Sequence, residues 1–99
     1  MTRTLRNLKA ASKEFSAAVR WYEEQRPGLG GEFFDAVVDA TSLIQVQPEI
    51  GTPSRDGRTR RVLVQGFPYQ VVYRVSADEI VIVAIAHLKR RPGYWRKRK

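Results

Sequence analysis

The sequence has no cysteine and only one histidine among its 99 residues. Without cysteine the chain has neither a disulfide framework nor a thiolate metal site, and a single imidazole is too few for a structural zinc site. No stretch reaches the ~18 apolar residues of a membrane-spanning helix, and the first residues lack the pattern of a signal peptide. We therefore expect one cytoplasmic domain with no membrane segment, no metal and no cofactor.

Acidic residues are scarce in the second half of the chain. Residues 51–99 hold 12 Lys/Arg against 3 Asp/Glu, a net charge of +9, whereas residues 1–50 hold 6 against 7, a net charge of −1. The basic character of the protein therefore belongs to its second half. A positive field of this kind attracts polyanions or an acidic partner protein. Nucleic acid and an acidic polypeptide remain equally open on charge alone.

Three consecutive strands are predicted between Arg60 and His87, with turns at 65–68 and 76–79, because Val, Ile and Tyr dominate the intervening runs. The last run, Ile80–Ala86, is apolar at every position, which is typical of a strand covered on both faces. At the edge of a sheet such a strand would be a template for aggregation. A short strand at Thr4–Leu8 is therefore predicted to pair with its far side. In the middle run, one face is predicted to carry Tyr69, Val71, Tyr73 and Val75.

Two amphipathic helices are predicted, at Lys9–Gln25 and Leu29–Gln47, because apolar residues recur at spacings of three and four. Asn7 is predicted to cap the first helix with its side chain. The connection Arg26–Gly28 is short enough to force an antiparallel hairpin. The buried face of the hairpin is predicted to consist of Ala11, Phe15, Ala18, Val19, Tyr22, Leu29, Phe33, Ala36, Val37, Ala40 and Ile44.

These elements predict an α+β fold in the order β-α-α-β-β-β, in which the helical hairpin packs on one face of one antiparallel sheet. Residues 49–57 are predicted to form the loop that leads into the strands, since they are rich in Gly and Pro. The whole chain, 1–99, forms a single domain with a basic C-terminal tail at 88–99. Two large aromatic residues in that tail predict order as far as Trp95, with the last four residues frayed.

Four segments occur in an order that resembles a known family. WYEEQRPGLGGEFFDAV at Trp21–Val37 is followed by PEIGTP, RRVLVQGFPYQVVYRV and IVIVAIAHLKRRPGYW. Together they resemble the ParE branch of the RelE/ParE superfamily, the toxins of type II toxin–antitoxin pairs, over about Lys9–Trp95; the first eight residues match nothing clearly. The resemblance implies that the first strand pairs with the last. It also implies a hetero-oligomer with a cognate acidic antitoxin, whose C-terminal segment folds across the hairpin and sheet.

The same resemblance implies a choice between two targets, because ParE-type toxins act on DNA gyrase and RelE-type relatives cut messenger RNA in the ribosome. The long helical hairpin and the tail favour gyrase. The density of arginine between Arg55 and Arg61 favours an anion-contact edge, although such charges also deter edge-to-edge pairing of strands. The predicted target-binding residues are Arg58, Arg60, Arg61, Arg90, Arg91, Tyr94 and Trp95. The predicted antitoxin-binding residues are Trp21, Arg60 and Arg74.

Two alternatives remain beside a toxin that acts by binding. A ribonuclease needs a base, an acid and cations for the phosphorane charge, and the candidates are His87, Arg61, Arg74, Arg90, Arg91 and Tyr94. This acid–base set is incomplete, and a histidine at a strand end more often only hydrogen-bonds there. A non-catalytic nucleic-acid-binding module is the third hypothesis, with Tyr69, Tyr73 and Tyr94 as stacking residues. Tyr69 and Tyr73 share a face with valines, which predicts core positions for both.

Overall fold

A computed structural model describes residues 3–99. Two helices pack on one face of a five-stranded sheet, which confirms the two-layer α+β architecture. The strands lie in the order β1-β5-β4-β3-β2. The elements are β1 (Thr4–Asn7), α1 (Lys9–Gln25), α2 (Leu29–Val46), β2 (Thr52–Pro53), β3 (Arg60–Leu63), β4 (Tyr69–Val75) and β5 (Glu79–His87). Within the described residues, neither helix has the length and apolar character needed to span a membrane.

The sheet is mixed and contains one strand more than expected. β1 pairs in parallel with β5, from Thr4 opposite Glu79 to Asn7 opposite Ile82, whereas the other three pairings are antiparallel. The expected antiparallel arrangement therefore holds only from β2 to β5. The parallel direction of β1 could not be predicted, because alternation of residue types does not encode strand direction. The short β2 lies in the segment predicted to be a loop.

The helices have almost the predicted bounds, and α2 ends one residue early, at Val46. The prediction that Asn7 caps α1 is wrong: Leu8 occupies the cap position, and no side chain makes a cap hydrogen bond. Asn7 is committed to β1, and the Leu8 amide donates instead to the carbonyl of Ile82 at 3.0 Å. Pairing with β5 therefore takes precedence over local capping.

The connection between the helices is fixed by Glu23. Its carboxylate accepts hydrogen bonds from the amides of Gly28, at 3.0 and 3.1 Å, and of Gly30, at 3.0 Å. Gly28 has φ +91, in the left-handed region that favours glycine. A Cβ atom on Gly30 would lie 2.7 Å from the carbonyl oxygen of Val19, so only glycine permits this close approach of α2 to α1. Backbone conformation thus explains Gly28, and close packing of the helices explains Gly30.

Both faces of β5 are buried. The face toward the helices joins Ile80, Ile82 and Ile85 to the hairpin core, where Phe33 and Ile44 are fully buried. On the opposite face, Val81, Val83, Ala84 and Ala86 of β5 form a cluster with Val72 of β4, against which Leu8, Tyr94 and Trp95 pack.

The C-terminal tail folds back to the last residue, so the prediction of four frayed residues is wrong. Because β1 ends opposite Ile82, the outer edge of β5 beyond that point has no neighbouring strand. Its carbonyl at Val83 accepts from Arg98 at 3.0 Å, and its amide at Ile85 donates to Glu14 at 3.1 Å. Arg98 and Glu14 also pair with each other at 2.8 Å, with only 21% and 18% of their side chains exposed. Two side chains therefore continue the edge pairing that β1 begins.

Phe33 should be essential to the core and Phe34 should not. Phe33 is 0% exposed and Phe34 is 47% exposed, so the neighbours form a matched pair. Phe33→Ala should lower the free energy of unfolding by about 3–5 kcal/mol, and Phe34→Ala by roughly 1 kcal/mol or less. Denaturant unfolding followed by circular dichroism measures both losses. Equal losses would contradict the assignment of the buried face.

The Glu14–Arg98 pair should stabilise the protein as a unit. Glu14→Gln should lower the free energy of unfolding by about 1.5–3 kcal/mol, the usual value for hydrogen bonds to a charged group. Glu24→Gln, an exposed change on the same helix, should change the free energy of unfolding by no more than roughly 0.5 kcal/mol. Combined with Arg98→Gln, Glu14→Gln should cost less than the sum of the single changes, since the two side chains touch. Strictly additive losses, or undiminished hydrogen-exchange protection of the Ile85 amide in Glu14→Gln, would argue against this role.

Candidate functional site

A groove of about 1000 Å³ lies on the side of the sheet opposite the helices. We call it the arginine groove. Its floor is formed by β3, β4 and β5, one wall by the loop at 53–59, and the other wall by the tail at 88–98. Seven arginines line it together with one acidic residue, Asp56, and one tryptophan, Trp95; the arginines are Arg55, Arg58, Arg61, Arg74, Arg90, Arg96 and Arg98.

Strand alternation places Arg61 and Arg74 on the floor. Val62 and Tyr73, their neighbours in sequence, point to the helical core, so the two arginines project to the opposite face. Arg61 lies opposite Val72, two positions along β4 from Arg74, and the two guanidinium groups therefore share one stretch of the sheet. Arg74 also donates to the Lys99 carbonyl at 2.9 Å, which joins the floor to the end of the tail.

The loop wall is held in shape by Asp56. Its Oδ1 accepts from the Ser54 hydroxyl at 2.7 Å and from the Arg58 amide at 3.0 Å. These hydrogen bonds lower the pKa of the Asp56 carboxyl below its ordinary value, and the charges of Arg58 and Arg96 act in the same direction. Asp56 thus stays ionised and organises the loop that carries Arg58.

The tail wall is held by Tyr94. Its hydroxyl donates to Glu14 at 2.6 Å, and the guanidinium of Arg90 lies 4.0 Å from the centre of its ring. Burial, together with the hydrogen bond to Glu14, raises the pKa of Tyr94 well above its ordinary value, so the phenol remains a donor. Trp95 packs edge-on against this ring, with 5.2 Å between centroids. The network that closes the edge of β5 therefore also fixes the aromatic wall of the groove.

Little carboxylate charge offsets the arginines of the groove. Among residues 3–99 three ion pairs form, and Arg98 is the one groove arginine that takes part in any of them. The other six guanidinium groups converge with Asp56 as the single acid in the lining. Such a concentration of one sign of charge in a concave surface attracts anions. The groove is therefore chemically suited to bind an anionic ligand.

The structure divides the predicted target-binding residues into two groups. Arg58, Arg61, Arg90 and Trp95 line the groove, whereas Arg60, Arg91 and Tyr94 lie outside its lining. The guanidinium of Arg60 donates to the carbonyls of Glu49 at 3.0 Å and Gly51 at 2.8 Å. Arg60 therefore anchors the turn before β2.

The candidate ribonuclease residues are only partly brought together. Arg61 and Arg74 share the groove floor, but His87 is absent from the lining. The Nδ1 atom of His87 accepts from the Lys89 amide at 3.0 Å, and its ring packs on Tyr69 with centroids 5.0 Å apart. The Tyr94 hydroxyl is committed to Glu14. The groove thus offers cations without either His87 or a free Tyr94 hydroxyl beside them.

The tyrosines proposed as stacking residues face inward. Tyr73 is fully buried, and its hydroxyl donates to the Pro48 carbonyl at 2.7 Å and accepts from the Gly51 amide at 2.9 Å. Tyr69 packs against Phe33 in the helical core, with centroids 4.9 Å apart. Neither ring is available to a base on the outer face.

The predicted antitoxin contacts do not form one surface. Trp21 is 55% exposed on α1, in the helical layer. Arg74 lies on the opposite side of the sheet, in the groove.

Sequence reasoning missed Glu14, Arg96 and Arg98. A signal for Glu14 was present, because it lies three residues after Ala11 and four before Ala18, on the buried stripe of α1. A carboxylate on such a stripe predicts a buried cationic or hydrogen-bonding partner. Nothing in the sequence near Arg96 or Arg98 distinguished them from the other basic residues of the tail.

Comparison with known proteins agrees with this architecture. A solved structure described as the chromosomal ParDE TA system from P. aeruginosa superposes with a TM-score of 0.76 over 87% of this chain and 96% of that chain, at 20% sequence identity. That likeness concerns the fold. No curated protein matches the chain in sequence. The family model for the ParE toxin of type II toxin–antitoxin systems, parDE, matches residues 5–92. The chain therefore belongs to the ParE toxin family.

Proposed function

We propose that this ParE-family protein inhibits DNA gyrase by binding to it, and that a cognate acidic antitoxin neutralises it. The observation that carries the proposal is the arginine groove, with six guanidinium groups outside any ion pair among residues 3–99. A toxin that acts by binding needs a preformed charged surface of this kind and no acid–base machinery. Arg58, Arg61, Arg90 and Trp95 are the residues that we assign to the target contact.

A RelE-like messenger ribonuclease is the second candidate, and the two arginines on the groove floor favour it. General acid–base catalysis requires groups within hydrogen-bonding reach of the reacting 2′-hydroxyl and the leaving oxygen. His87 lies outside the groove lining, and its Nδ1 already accepts a backbone hydrogen bond. The geometry therefore supports binding better than cleavage.

The antitoxin proposal draws on the similar solved structure, which is described as a chromosomal ParDE TA system. It also draws on the apolar side chains that the helical layer leaves exposed, namely Trp21, Phe34, Val38, Leu43 and Val46. A segment that folds on the protein would cover these side chains, and its acidic residues would meet the basic sheet. The expected assembly is a hetero-oligomer of toxin and antitoxin.

Gyrase inhibition should depend on the groove and not on His87. The double variant Arg61→Gln/Arg90→Gln should weaken inhibition of supercoiling by purified gyrase at least about tenfold, a loss of ~1.4 kcal/mol. His87→Ala should inhibit as the parent protein does. Point variants are preferable to deletion of the tail, because Tyr94 and Arg98 complete the fold.

A parallel assay of messenger cleavage on translating ribosomes separates the two candidate targets. A ribonuclease would cleave there, and His87→Ala would slow it on the order of 10²–10⁴-fold. Transcript cleavage with gyrase untouched would refute the gyrase proposal.

Antitoxin binding should require Trp21. Co-expression with the adjacent reading frame should yield a complex that copurifies, and association should slow as salt screens the charges. Trp21→Ala should weaken the complex at least about tenfold if Trp21 is an aromatic anchor. Leu63→Ala, an exposed apolar control on β3 that is 62% exposed, should leave the affinity unchanged. If no product of a neighbouring frame bound at micromolar concentration, the antitoxin proposal would fail.

A further inference from the structure

We propose that the arginine groove binds a single strand of nucleic acid, with its guanidinium groups on the phosphates and Trp95 stacked on a base. The inference rests on the proposed function only in taking the groove as the surface that meets the target. It goes further in naming the ligand as a single strand of nucleic acid rather than an acidic protein surface.

The positions of the arginines require a ligand that carries charge along its length. They come from three parts of the groove: Arg55 and Arg58 from the loop wall, Arg61 and Arg74 from the floor, and Arg90 and Arg96 from the tail wall. A single anion could meet only a few of them at once. A phosphodiester chain places one negative charge on each nucleotide, and the guanidinium fork matches phosphate oxygens with two parallel hydrogen bonds.

The groove floor distinguishes a nucleic acid from an acidic peptide. Part of that floor is apolar, formed by Val83 on the face of the sheet opposite the helices. The outer edge of β3 at Arg60 and Arg61 is already occupied by β2. An extended peptide lying across the face of the sheet would meet side chains rather than a strand edge, so its own amides and carbonyls would lie unpaired on the floor. A sugar–phosphate backbone has no amide groups to satisfy.

Trp95 favours a single strand over a duplex. Proteins that hold single strands combine a basic groove with aromatic side chains on which unpaired bases stack, each worth ~1–3 kcal/mol. A duplex keeps its bases in the stack and offers none to an aromatic wall. Trp95 lines the groove and is fixed from behind by Tyr94, whose hydroxyl is bonded to Glu14. The ring is therefore held in place before any ligand arrives.

The test measures the affinity of the purified protein for fluorescently labelled oligothymidylate of about 10 nucleotides, within the range of single-strand site sizes. Fluorescence anisotropy at several salt concentrations should show log K falling with log salt by ~0.7 per phosphate contacted, a slope of about −3 for four contacts. The triple variant Arg58→Gln/Arg61→Gln/Arg96→Gln should bind at least tenfold more weakly and with a shallower slope.

The matched control removes the same charge elsewhere. Lys9→Gln/Lys13→Gln/Arg20→Gln changes three exposed cations on α1, so both triple variants carry the same net charge. The control variant should keep most of the affinity. Equal losses in the two triple variants would show general electrostatic attraction and would overturn the assignment to the groove.

Trp95 supplies an independent readout. The chain has two tryptophans, so the variant Trp21→Phe leaves Trp95 as the single indole. Its emission should be quenched on addition of oligothymidylate, and the quenching should disappear in the groove triple variant. Binding without quenching would overturn the stacking of a base on Trp95.

Competitors decide the class of ligand, and separate assays keep the two proposals apart. Unlabelled single strand should displace the probe, whereas duplex of the same length and polyglutamate of matched charge should displace it at least tenfold less well. Displacement by polyglutamate at equal concentration would identify the groove as a site for an acidic protein, and equal competition by duplex would refute single-strand selectivity.

Strand binding is measured without gyrase. A protein that binds the strand but leaves supercoiling untouched would support this inference and refute gyrase inhibition. A protein that inhibits supercoiling but does not bind the strand would support gyrase inhibition and refute this inference.

Discussion

The whole fold is organised around β5, which must be buried on both faces and paired along both edges. Its residues from Ile80 to Ala86 are all buried, so its backbone groups and side chains must be satisfied inside the protein. The helical hairpin covers one face, and β4 pairs along one edge. β1 is too short to pair with the whole of the other edge, and it leaves the segment after Ile82 open. The Glu14–Arg98 pair fills this gap and thereby fixes the path of the tail.

Closing the sheet in this way also builds the arginine groove. Because Arg98 reaches the Val83 carbonyl, the chain before it must run beneath the second face of the sheet. Along that path Tyr94 and Trp95 pack on the valine and alanine side chains of the sheet, and the tail forms one wall of the arginine groove. A partly buried ion pair repays its desolvation only when its remaining atoms are also satisfied. Here the Glu14 oxygens accept from an amide, a phenol and a guanidinium.

The arginine groove carries an electrostatic cost to stability. Like charges brought together on a folded surface repel one another, and most groove arginines have no carboxylate to offset that cost. Elsewhere the chain avoids such conflict: Arg6 pairs with Glu79 at 3.1 Å and Arg26 with Glu32 at 3.0 Å. The groove is thus the part of the described chain where charge repulsion is least offset by ion pairs.

The sequence by itself determined the elements, the buried faces and the position of β5 within the sheet, because these follow from periodicity and from the cost of an apolar edge. It also placed Arg58, Arg61, Arg90 and Trp95 among the predicted target contacts, since a dense basic segment and a tail with aromatics are local features, and the structure brings these four residues into one groove. It assigned Arg60 to the target contact, yet that side chain serves the turn before β2.

Only the tertiary structure decided the parallel direction of β1, the ordered path of the tail and the groove between tail and loop. These features depend on contacts between distant residues, such as Glu14 and Arg98, which are 84 positions apart. No local pattern records which of several tail arginines will meet a particular carboxylate. The pairing of Arg98 with Glu14 depends on the open edge of β5, and that edge exists only in the folded chain.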